Sequence, residues 1–239
     1  MLSRCEAEGV ALRSVNPLVC ECNDSTLNHI AERAVGREHV FSALASACQD
    51  FAEGDVGGGK GMICHGLKGG IGSASRVLAF DGRTYTIGIL VQSNHGVLSD
   101  LTVSGVNIGA GLARTLETRA ADQGSIIAVL ATDLPLDARQ LARVARRVSV
   151  GLARLGSHIG HGSGEVFVAF STANPFDFRA ENAVRMTTAF HEELLDLPFR
   201  AAAECAEEAV LNSMLTAHTV TGWQGNTVYA LPELWRPGG

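Results

Sequence analysis

The chain has 239 residues, 46% of them apolar and 18% charged, with a formal net charge of −6. That balance excludes a disordered chain. Its basic residues are scattered, densest at Arg143, Arg146 and Arg147, and form no nucleic-acid-binding patch. No apolar run approaches the roughly eighteen residues of a membrane span. The opening MLSRCEAEGV lacks the apolar stretch of a signal peptide, so the expected location is cytoplasmic. Six irregularly spaced cysteines read as free thiols rather than a disulfide framework.

In chain order, residues 37–49 place Val40, Leu44 and Ala47 at helical spacing and predict an amphipathic helix. Eight of the sixteen residues from 57 to 72 are glycine. The passage is not a phosphate loop, because Lys68 is followed by Gly69 rather than by a hydroxyl residue and the passage leads into strands. It predicts backbone that turns tightly or approaches something closely. Two β-rich runs then meet at Asp81-Gly82, a hairpin signal. A strand follows from Ser125, and a long helix over 136–155 carries Leu141, Val144, Val148 and Leu152 on one stripe. Residues 165–172 read as a buried strand, 199–217 as a helix and 227–231 as a last short strand. Strands and helices are mixed rather than strictly alternating, which predicts an α+β fold, taken as a single domain.

Metal ligation is not expected. Cys20 and Cys22 form only a C-x-C pair, Cys64-His65 is isolated in the sequence, and His158 and His161 match no standard zinc spacing. The stretch DQGSIIAVLATD sets Ser125 after Gly124 at the mouth of an apolar strand. A serine hydroxyl needs a base to act as a nucleophile, and no serine lies in a G-x-S-x-G elbow. Cleavage between Gly124 and Ser125 would supply one, since a free α-amine has an ordinary pKa of about 7.7–8.0. In HGSGEVFVAF, Ser163 and Glu165 lie two apart at a strand entry and so share a face.

Four ordered blocks, GGGKGMICHGLKGGIGSASR, LVQSNHG, QGSIIAVLATD and HGSGEVFVAFSTAN, resemble the DmpA-type aminopeptidases. This is the L-aminopeptidase/D-Ala-esterase and β-aminopeptidase family of self-cleaving serine hydrolases. The resemblance implies an αββα sandwich shared with the ornithine acetyltransferases, and a precursor that cuts itself before Ser125. The products would be segments 1–124 and 125–239, held together and associating further as a homo-oligomer. It makes Ser125 the nucleophile, Ser163 and Glu165 its polar partners, and Asn94 an oxyanion-stabilising amide. It aligns Asn23 with a substrate-contacting tyrosine of some members. The expected substrates are short peptides, amides or esters, with no cofactor. Family precursors extend well beyond this chain on the N-terminal side. Two alternatives stand beside this reading: an acyltransferase, and an inactive homologue acting as an assembly module.

Overall fold

The structure is a computed structural model describing residues 2–10, 16–116, 124–175 and 183–236. Four long strands build its main sheet. They are β1 (Gly70–Phe80), β2 (Arg83–Asn94), β3 (Ser125–Thr132) and β4 (Gly164–Ser171), hydrogen-bonded in that order. Strands β1 and β2 form an antiparallel hairpin. At its turn Asp81 and Gly82 have φ of 50° and 73°, the left-handed pair that Asp-Gly favours because its twist matches the strands. Strand β3 runs antiparallel to β2, and β4 runs parallel to β3.

A parallel pair needs a crossover, supplied here by helices. Besides α1 (Arg37–Ala45) and α2 (Gly109–Leu116), the described helices include α3 (Ala138–Ala145), α4 (Val148–Arg154) and the long α5 (Asp196–Leu215). The single helix expected over 136–155 is therefore two. Asp137 caps α3 by accepting from the Gln140 N–H at 2.7 Å, and the helix breaks at Arg146 and Arg147. The apolar stripe survives the break, since Val144, Val148 and Leu152 are all fully buried. Helix α5 begins three residues before the expected 199 and carries Pro198 in its first turn, where its missing N–H costs nothing. Helix α1 stops at Ala45 and buries no residue. The last strand shrinks to Thr227–Val228, because Leu231–Leu234 already forms a helical turn with Pro232 near its start.

One face of the sheet meets the helices. Ile87, Ile89 and Val91 of β2 and Ile126, Ala128 and Leu130 of β3 pack there with Val148, Leu152, Val210 and Met214. Small residues along α5, among them Ala202, Ala206 and Ala209, are fully buried against this layer. The opposite face carries Ile127 under Cys22 and Met62. Further along it Val77, Leu90, Val166 and Phe170 are 38–68% exposed. The described residues thus form one helix layer on a four-stranded main sheet, with three two-stranded hairpins beside it, α+β in class. No described helix is long and apolar enough to cross a membrane.

Candidate active site

The topology gathers the candidate residues at one end of the sheet. Strand β2 ends there, while β3 and β4 begin there, so Asn94 pairs with Ser125 and Ser125 pairs with Gly164. Sequence positions seventy residues apart become register neighbours.

Gly124 and Ser125 sit where three strands meet. The Gly124 carbonyl accepts from the Gly164 N–H at 3.1 Å. A Cβ at Gly124 would lie 1.8 Å from the Asn94 carbonyl oxygen, so only glycine fits this approach. Ser125 is half-buried. The Cys22 thiol lies in hydrogen-bond reach of its side chain, and burial pushes that thiol's pKa up despite the contact. Cys22 is a site neighbour that the sequence reading missed, because its C-x-C spacing carried no sign of where the segment would fold.

Asn94 is 6% exposed and both ends of its amide are engaged. Its Oδ1 accepts from the Ile63 N–H at 2.8 Å, and its Nδ2 donates to the Asn23 carbonyl at 3.1 Å. An amide nitrogen carries two N–H groups, so the oriented group has a second donor. Asn23 is exposed, and its side chain accepts from the Ser25 N–H at 2.9 Å in a local turn. What reaches the other site residues is its carbonyl.

Ser163 and Glu165 do share a face, and the Ser163 hydroxyl donates to Glu165 Oε1 at 2.5 Å. They flank Gly164, the partner of Ser125. Glu165 pairs with Ile126, which faces the helices, so the dyad's side chains lie on the other side of the strand from the Ser125 side chain. What lies beside them is the start of β3, at the Gly124–Ser125 bond.

The glycine-rich passage supports Asn94. Its two short strands, Ile63–Cys64 and Leu67–Lys68, form a hairpin that presents the Ile63 N–H. Lys68 is fully buried, and its ammonium donates to the carbonyls of Gly59, Met62 and Gly69 at 2.8, 2.9 and 2.7 Å. Burial lowers its pKa to about 8. The lysine that failed as a phosphate ligand is an internal staple. The glycines permit close approach, as expected: a Cβ at Gly70 would lie 2.0 Å from the Gly54 carbonyl oxygen.

This sheet, with a serine opening a central strand, is that of an N-terminal-nucleophile-type fold. The L-aminopeptidase D-Ala-esterase/amidase of Ochrobactrum anthropi, described as a new variant among the Ntn hydrolase fold, superposes with a TM-score of 0.85 and is 40% identical, over 97% of this chain and 64% of that one. The model of peptidase family S58 matches residues 1–228, and the chain belongs to that family. The PH0078 protein of Pyrococcus horikoshii OT3 is similar at 48% identity and a TM-score of 0.88, again over 97% of this chain and 64% of that one. The β-peptidyl aminopeptidase BapA of Sphingosinicella microcystinivorans is 42% identical over 91% of this chain and 59% of its own length. The chain thus spans less than two thirds of these relatives.

Proposed function

We propose that this chain is an autoprocessed serine aminopeptidase or amidase, cut between Gly124 and Ser125 and acting through an acyl-enzyme. The observation that carries the reading is the meeting of Asn94, Ser125 and the Ser163–Glu165 dyad at one sheet end. Processing begins when Ser125 Oγ attacks the Gly124 carbonyl carbon. The Gly124–Ser125 amide becomes an ester, which frees the Ser125 α-amine, and water then cleaves the ester to release the Gly124 carboxylate and the Ser125 hydroxyl. That amine lies at the start of β3 beside Ser163 and Glu165, which hold and adjust its proton. Near neutral pH it serves as the general base for the same hydroxyl. The second Asn94 N–H is available to a developing oxyanion, a contribution of about 3–4 kcal/mol for a preorganised donor.

The substrates are short peptides, amides or esters with a free amino terminus, the class that the relatives' names describe. The cleaved pair associates further, and the six cysteines are joined by no disulfide, which supports a reducing, cytoplasmic setting. Ser125→Ala tests the reading. Both self-cleavage and turnover of amino-acid p-nitroanilides should be lost, the latter by on the order of 10⁴-fold or more. Retained turnover in that variant would overturn it.

A further inference from the structure

A second cluster lies behind Asn94. Cys64, His65 and His95 are 0%, 0% and 1% exposed. One ligating atom from each lies within 4.8 Å of the other two. Cys64 Sγ is 3.9 Å from His95 Nδ1, and the two imidazoles meet edge to face at 5.5 Å. Cys64 and His65 come from the glycine-rich hairpin and His95 from the residue after β2. The sequence separates them by thirty residues, which is why spacing alone left Cys64-His65 isolated.

Three observations make this a ligand set rather than apolar packing. His65 Nδ1 is 3.1 Å from the Val97 carbonyl, which only accepts, so Nδ1 carries the proton and Nε2 is the lone-pair nitrogen. Such a backbone bond is the usual way a metal-binding imidazole is oriented. His95 Nε2 is buried without a hydrogen-bond partner, an uncommon cost for a core side chain. Gly96 also makes room for the cluster, since a Cβ there would lie 2.6 Å from the His65 ring.

We propose that Cys64, His65 and His95 form a buried three-coordinate site for a soft monovalent cation of the Cu(I) class. Thiolate with imidazole selects thiophilic d¹⁰ metals. Binding replaces the Cys64 S–H bond with an S–metal bond and releases that proton to solvent. One thiolate, two neutral imidazoles and a monovalent cation sum to zero charge, whereas Zn²⁺ would leave a net positive charge in a dry interior. Metal–ligand bonds of about 2.0–2.3 Å set the ligand atoms of a three-coordinate site roughly 3.5–4.0 Å apart, so the trio closes by about 1 Å. The cation would tie the hairpin that presents Ile63 to the end of β2, on both sides of Asn94.

The test is anaerobic titration of the full chain with Cu(I) against a competing chelator, read as bound metal and as a thiolate-to-metal charge-transfer band. The wild type should hold one equivalent. Cys22→Ser, which removes the C-x-C pair, should hold the same. Cys64→Ser should hold none, and His95→Phe, which keeps the thiol and the ring volume, should bind at least tenfold more weakly. Circular dichroism confirms that each variant is folded, and if Cys64→Ser is not, His95→Phe decides. No wild-type binding, unchanged affinity in His95→Phe, or retention of Zn²⁺ but not Cu(I) would each overturn the proposal. None of these readouts depends on peptidase activity.

Discussion

Gly124 has no room for a side chain, because the Asn94 carbonyl occupies the space. Gly124→Ala should push β3 away from β2 at Ser125, costing about 1–3 kcal/mol as overpacking does. It should also stop self-cleavage even though Ser125 is untouched. Denaturant unfolding and intact mass measure the two effects, and normal cleavage would contradict the close approach. Lys68 makes a comparable demand. Lys68→Met keeps the length of the side chain but leaves the carbonyls of Gly59, Met62 and Gly69 without their donor. At about 1–3 kcal/mol for each unsatisfied buried group, a loss of several kcal/mol is expected by denaturant unfolding. A loss under about 1 kcal/mol would show that water replaces the ammonium.

At the scale of elements, the glycine-rich loop is tied to the end of α5. Burial raises the Asp55 pKa, but the His218 ring and backbone N–H, both within 3.0 Å, outweigh it and lower the pKa to about 2. A folded-state pKa below the unfolded one stabilises the fold above the unfolded pKa, near 4. That stability is lost as the pH falls from about 4 through about 2. Thermal unfolding at pH 5 and pH 2.5 should therefore show a smaller acid loss in Asp55→Asn than in the wild type. Equal losses would contradict this tie.

The sequence made the sheet strands and the Asp81-Gly82 hairpin legible, because apolar runs and turn chemistry are local, but the strand expected to be buried over 165–172 has no fully buried residue. It also placed Ser163 and Glu165 on one face, which a two-residue spacing dictates. The break between α3 and α4 was hidden because the stripe of Val144, Val148 and Leu152 continues across it. Helix α2 and the start of β1 inside the glycine run were missed, since glycine suppresses both periodicities. Cys22 beside Ser125, and His95 beside Cys64, were out of reach for a different reason. Each contact is made by chain crossing over, and no spacing records it.

For the whole molecule, the sheet face away from the helices is the part least covered by the described residues. Val77, Leu90, Val166 and Phe170 leave apolar surface on it, of the kind that marks association. Light scattering after size exclusion should find this chain as an assembly rather than a monomer. Val166→Thr together with Phe170→Thr should weaken that assembly, and an unchanged mass would place the contact elsewhere. The central claim, that one sheet end makes Ser125 both the agent of cleavage and the nucleophile, is tested most directly by intact mass under denaturing conditions. Two fragments, 1–124 and 125–239, in the wild type and one uncut species in Ser125→Ala are the predicted result. A single uncut species in both would contradict the claim.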